Sequence, residues 1–262
     1  RTIGQVGDKG NYGVEYVLRD VLEGRDGKAR RQRIARGFYG RVVGGDNSEP
    51  EDGLDVVTTL DLEMQDVADR ALRRQLEAQN ALWGTALVME VATGDLLAMA
   101  NLSRTKSGAY AEVKNHALSS RMEPGSTFKL AALLALVDDA GMSLDETFDT
   151  GNGARVKVGR TTVQDSHGLP PLNLKDAVAH SSNVFFARAV YETYKDDPER
   201  YVDYLRHLHL DRTVGLEEFG AVAPIFPAPG MKIWYPDVSI VNMGYGYAIE
   251  LTPLHTLTLY NA

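Results

Sequence analysis

The chain has 262 residues, 44% of them hydrophobic, which is enough for one large domain, with or without a smaller companion, and for a sizeable core. A formal net charge of −8 excludes general nucleic-acid binding, which needs a basic face. Cysteine is absent, so a disulfide framework, a thiolate metal site and a cysteine nucleophile are excluded as well.

No apolar run reaches the length of a membrane span, and Arg1 does not open a signal peptide, so any targeting segment is expected outside the chain. Residues 1–52 are polar and Gly-rich, as in Arg1-Thr2-Ile3-Gly4 and Gly13-Val14-Glu15, and predict a small subdomain of turns and short strands. Within it Lys28, Arg30, Arg31, Arg33 and Arg36 form a basic run, read as a solvated face or as a contact for an anionic membrane surface. Residues 44–53, Gly44-Gly45-Asp46 to Gly53, contain no apolar side chain and predict a linker.

The β-branched stretch 54–60 predicts a strand. Asp61 is then a candidate N-cap for an amphipathic helix over 62–79, with Met64, Val67, Ala68, Ala71, Leu72 and Leu76 recurring every three or four residues. Apolar runs at 85–91 and 95–100 flank Ala92-Thr93-Gly94 and predict a hairpin in the middle of an antiparallel sheet. Residues 101–121 are mixed and polar, and predict loops.

Next comes Glu123-Pro124-Gly125-Ser126-Thr127-Phe128-Lys129-Leu130, followed by the apolar run to Val137. Pro-Gly breaks the preceding structure, so a helix is expected to start at Ser126 and to be buried on most faces. Ser126 then sits where free N–H groups and the helix dipole favour negative charge, with Lys129 three residues on and rising on the same face. A hydroxyl needs a base to become a good nucleophile, and a desolvated lysine can be that base. In isolation, Ser-x-x-Lys more often means a capping serine and a solvated lysine.

Downstream, 156–163 is strand-like around Gly159. Residues 174–190 read as one helical stretch that carries Ser181-Ser182-Asn183, and 198–210 as a shorter helix. Residues 221–237 are Pro-rich and irregular. Thr252 caps a final helix with Pro253 at its first position, and that helix meets Ala262 with no stop signal, as expected of a fragment. Asp165-Ser166-His167 has triad chemistry, but neighbours in sequence do not converge on one point, so it reads as a turn. His207 and His209 are metal-ligand types without companions, and Tyr245 and Tyr247 read as structural rather than substrate-stacking.

Ser126-Thr127-Phe128-Lys129 followed by Ser181-Ser182-Asn183 resembles the active-site serine penicillin-recognising enzymes, whose signature includes Ser-x-x-Lys, a Ser-x-Asn element and Lys-Thr-Gly. Asp55-Val56-Val57-Thr58-Thr59-Leu60-Asp61 with Gln65, Thr93-Gly94-Asp95, Glu123-Pro124-Gly125, and Gly244-Tyr245-Gly246 with Leu251-Thr252-Pro253 narrow the likeness to class B penicillin-binding proteins, nearer the division type than the elongation type. The opening motifs are similar to that family's N-terminal pedestal. The resemblance implies an α+β penicillin-binding transpeptidase or serine β-lactamase-like fold, with an antiparallel sheet, helices on both faces and an α-helical subdomain. It divides the chain into a partial pedestal at 1–52 and a transpeptidase domain at 53–262 that lacks its C-terminal portion.

The same resemblance implies a peptidoglycan D,D-transpeptidase working through a serine acyl-enzyme in septal wall synthesis. Ser126 would be the nucleophile and Lys129 its base, with an amine brought down from about 10.4 to near neutrality. Ser181 would relay a proton to the leaving group, and Asn183 would hold Lys129 and the substrate amide. The Ser126 N–H would form half of an oxyanion hole. Ser182, Gly244 and Tyr245 are candidate substrate-binding residues. Implied partners are stem peptides ending in D-Ala-D-Ala, β-lactam antibiotics, a septal glycosyltransferase and division proteins, with no cofactor, metal or nucleic acid. The implied place is the outer face of the cytoplasmic membrane, held by an anchor outside the chain.

Two departures stand out. The family's Lys-Ser/Thr-Gly strand does not follow the Gly-Tyr-Gly region before the chain ends, and His180 precedes Ser181 where the family often has lysine. The alternatives are a D,D-carboxypeptidase or serine β-lactamase, and a non-catalytic envelope scaffold of the division machinery.

Overall fold

The computed structural model describes Ile3 and residues 12–29, 31–41 and 47–262. Most of the Arg1-Thr2-Ile3-Gly4 element, Arg30 of the basic run and residues 44–46 of the expected linker lie outside the described residues.

Two short helices, α1 (Gly13–Val17) and α2 (Arg19–Leu22), open the described chain. An exposed hairpin follows, β1 (Arg31–Ala35) and β2 (Phe38–Arg41). The described part of the expected linker is not a free tether. Glu51 pairs with Arg25 and Ser48 with Lys28 across isolated bridges, and a Cβ on Gly53 would lie 1.9 Å from the Leu22 carbonyl oxygen.

Residues 54–60 do not form the expected strand. Strand preference is realised through cross-strand neighbours. Here Leu54 N–H donates to Val21 O at 2.8 Å and Thr59 Oγ1 to Leu96 O at 2.8 Å, with no ladder between them, and Val57 is 95% exposed.

Helix α3 (Leu62–Gln79) begins where expected, with the Asp61 carboxylate accepting the Met64 N–H at 2.8 Å. It lies on an antiparallel sheet in the order β3 (Trp83–Met89), β4 (Leu96–Arg104), β5 (Tyr110–Ala111), so the predicted hairpin holds and β4 is central. Small residues let the helix approach: Ala68 of α3 packs on Ala98 and Ala100 of β4. Gln65 fastens the contact, accepting the Met99 N–H at 2.8 Å and donating to Met99 O at 3.2 Å. The region expected as loops therefore holds the end of β4, β5 and the short α4 (His116–Ser119).

The largest core belongs to the helices that follow. A 3-10 turn (Gly125–Phe128) runs into α5 (Lys129–Leu134) and then a π-helical turn (Ala135–Asp139). Short strands β6 (Thr147–Phe148) and β9 (Leu172–Asn173) pair across the hairpin β7 (Val156–Val158) and β8 (Thr161–Val163), which turns at Gly159 with φ +53°.

The expected continuous stretch over 174–190 is two helices, α6 (Leu174–Ala179) and α7 (Asn183–Tyr194), broken at Ser181, whose φ is +51°. Helix α7 is apolar nearly all round and consequently central. Burial of Phe185 and of Phe186, both fully buried, stabilises the fold by about 2 kcal/mol each. Around it pack α8 (Pro198–His207) and α9 (Ser239–Met243), while α10 (Pro253–Asn261) lies against α4 and β3 and has the expected Thr252 cap, reinforced by His255.

Candidate active site

Two separate segments converge on one amine. Ser126 sits in the 3-10 turn and Lys129 at the first position of α5, so both rise from the same helical start. The other side is the break between α6 and α7. A left-handed serine costs of order 1 kcal/mol, and here it turns Ser181 and Asn183 toward Lys129. The Lys129 Nζ lies 3.1 Å from Ser126 Oγ, 3.0 Å from Ser181 Oγ, 2.6 Å from Ser181 O and 2.7 Å from Asn183 Oδ1. Lys129 is 5% exposed, while Ser126 and Ser181 face solvent.

That distribution has chemical content. An ammonium has three protons for four acceptors, whereas a neutral amine has a lone pair that accepts from a hydroxyl. Burial brings the Lys129 amine down to about 8, against the Asp165 carboxylate, which pulls it up. About a tenth of it is therefore neutral at pH 7. The two exposed hydroxyls thus share one buried amine.

Contacts from distant parts of the chain hold the Ser126 turn. Gly125 N–H donates to Gly246 O at 2.9 Å, Ala248 N–H to Glu123 Oε1 at 3.0 Å, and Tyr260 Oη to Thr127 O at 3.0 Å. A Cβ at Gly246 would lie 1.9 Å from the Gly125 carbonyl oxygen, so only glycine permits this approach.

The three candidate substrate-binding residues stand next to these segments, none of them bonded to Lys129. Ser182 is fully buried and caps α7 through its Oγ, which accepts the Phe185 N–H at 3.0 Å. Gly244 is buried against α7, where a Cβ would meet Phe186 O at 3.0 Å. Tyr245 donates to Asn242 Oδ1 at 3.0 Å and packs against the Tyr247 ring. The burial of Ser182 and Gly244 gives both a packing role in this fold.

Asp165, read from sequence as part of a turn, is a residue that reasoning missed. The turn is there, but the buried Asp165 carboxylate accepts from Ser182 Oγ at 2.8 Å, from Asn183 N–H at 2.5 Å and from Val184 N–H at 3.2 Å. Neither periodicity nor local spacing marks it, since its partners are 17 to 19 residues away. Lys106-Ser107-Gly108 spells the third family motif, yet it is an exposed turn between β4 and β5 in which Thr105 bonds Ser107 and Ala109. The family's element is a strand.

Residues 84–262 match the penicillin binding protein transpeptidase domain. The chain belongs to this family. The probable peptidoglycan D,D-transpeptidase PenA of Neisseria meningitidis is 27% identical over 263 residues, covering 97% of this chain and 43% of PenA. Penicillin-binding protein PbpB of Mycobacterium tuberculosis is 29% identical over 268 residues, covering 97% of this chain and 37% of PbpB. The solved structure of penicillin binding protein 3 from Mycobacterium tuberculosis with aztreonam superimposes with a TM-score of 0.79 at 25% identity, over 100% of this chain and 55% of that one. The chain thus spans less than half of either curated relative. Its fold is the penicillin-binding transpeptidase fold, with the α+β composition and antiparallel pairing expected.

Proposed function

We propose that the chain carries the acylating centre of a class B peptidoglycan D,D-transpeptidase acting in septal wall synthesis. The observation that carries this reading is the buried Lys129 amine set between the exposed hydroxyls of Ser126 and Ser181. In the proposed reaction, neutral Lys129 takes the Ser126 proton as Oγ bonds to the penultimate D-Ala carbonyl carbon. The peptide C–N bond then breaks, and D-Ala leaves with a proton delivered through Ser181. The amine of a neighbouring stem attacks the ester, forms the cross-link and frees Ser126. Asn183 orients the amine, and the Ser126 N–H serves the developing oxyanion. β-Lactams would acylate the same oxygen.

The named activities of PenA and of the Caulobacter vibrioides FtsI relative support the substrate class, and the aztreonam complex of the structural neighbour supports the antibiotic. We place the transpeptidase part at 53–262, because α3 packs on β4 although the family match begins at Gly84. Residues 1–52 are then pedestal. A septal glycosyltransferase and division proteins as partners, and an envelope location through an anchor outside the chain, follow from the same reading.

Fluorescent penicillin applied to the full-length protein and its Ser126→Ala variant tests it. Labelling that depends on Ser126 and persists for many minutes is expected. Fast release of hydrolysed drug would indicate a β-lactamase, and an unlabelled wild type a scaffold.

A further inference from the structure

Asp165 makes no hydrogen bond to Ser126 or Ser181, yet it binds the residues that immediately follow Ser181 in the second motif. Its Oδ1 accepts the Asn183 and Val184 N–H groups at the start of α7, and its Oδ2 accepts the Ser182 hydroxyl. The Ser182 Oγ in turn accepts the Phe185 N–H, and Asn183 Nδ2 reaches Gln164 O at 3.5 Å. A carboxylate is suited to this place, because the first turn of a helix presents unpaired N–H groups and a positive dipole end. The break at Ser181 lies directly before it, and that residue alone supplies two of the four contacts to Lys129.

We propose that Asp165 is a positioning residue for acylation: it fastens the Ser181–Asn183 turn against Lys129, and its charge strengthens the lysine as a base. The inference rests on the proposed acyl-enzyme chemistry. When Lys129 takes the Ser126 proton it becomes an ammonium in a dry pocket, and a nearby fixed carboxylate stabilises that product. Around Lys129 the 3-10 turn contributes Ser126, the α6–α7 break Ser181 and Asn183, and α7 the Phe186 ring, all uncharged. His167 and His180 flank the two loops in sequence and are exposed. Asp165 is the group whose charge raises the Lys129 amine, opposing burial.

The test is the pH dependence of the acylation rate by fluorescent penicillin in wild type, Asp165→Asn and Ser182→Ala. Asparagine keeps the shape and two acceptor bonds but removes the charge. Its acid-side midpoint is expected to move to lower pH, and its plateau rate to fall several-fold, because a weaker base loses its proton earlier and works less well. Ser182→Ala keeps the charge, so its midpoint should stay at the wild-type position while the rate falls with the loosened turn. An Asp165→Asn midpoint at the wild-type value overturns the inference, as does a Ser182→Ala midpoint displaced equally far. If the asparagine variant does not fold, Ser182→Ala still decides, since an unchanged rate there overturns the fastening. An unlabelled wild type would instead remove the proposed function itself, so the two failures are distinct.

Discussion

The neighbourhood of Lys129 and the β1–β2 hairpin show opposite ways of using charge. Lys129 is one buried amine met by four acceptors from two segments more than fifty residues apart, beneath the core helix α7. The hairpin carries Arg31, Arg33 and Arg36 in the open, with Ile34 and Phe38 76% and 73% exposed beside them. A two-stranded sheet alone in water is marginal. A charge in the first setting has a displaced proton affinity because it is desolvated and held, while one in the second is screened. Chemistry that depends on a particular proton affinity therefore belongs to the over-determined region.

The largest break in this contrast should come from the amine itself. Lys129→Met is expected to slow acylation by on the order of 10²- to 10⁴-fold. Lys129→Arg should not restore the rate, since a guanidinium stays charged. Penicillin labelling kinetics of both variants check this, and a fast arginine variant would separate the base from this side chain.

Gly246→Ala comes next. Its φ is +89° and its Cβ would meet the Gly125 oxygen, so the Ser126 turn must shift. A loss of about 1–3 kcal/mol in thermal unfolding is expected. At least tenfold slower acylation should accompany it.

The proton affinity gives a third prediction. The Lys129 amine sits near 8, below its usual value, and the proposed reaction uses its neutral form. The acylation rate should rise as pH increases, roughly tenfold per unit below the midpoint, and level off above about 8. A rate independent of pH from 6 to 9 would mean that another group takes the proton.

The smallest effects belong to the hairpin. Ile34→Ser and Phe38→Ala remove apolar groups that already face water, so stability should change by no more than about 0.5 kcal/mol. Acylation should not change. A stopped or slowed acylation in either variant would join the two regions and end the contrast drawn here.

Much of this was legible in the chain itself. Asp61 as cap, the helix over 62–79, the hairpin about Gly94 and the Thr252-Pro253 start are each decided by neighbours within a few residues, and each stands in the structure. The strand expected over 54–60 failed for the opposite reason, because a strand needs a partner that no local pattern can promise. The reading of 174–190 as one helix failed because Ser181 is left-handed: Ser182 N–H closes α6 by donating to Ala177 O at 3.0 Å, Lys129 donates to Ser181 O, and no glycine marks that stop in the sequence.

Residue types and spacing alone determined that Ser126 and Lys129 share a face, since a serine three residues before a lysine at a helix start rises beside it. Tertiary structure alone decided that Ser182 is a buried cap, that Gly246 is the point where a distant loop meets the Ser126 turn, and that the Asp165 carboxylate accepts hydrogen bonds at the start of α7. Side-chain periodicity records which face of an element is apolar; it carries no record of which remote groups will complete the hydrogen bonds of a buried turn.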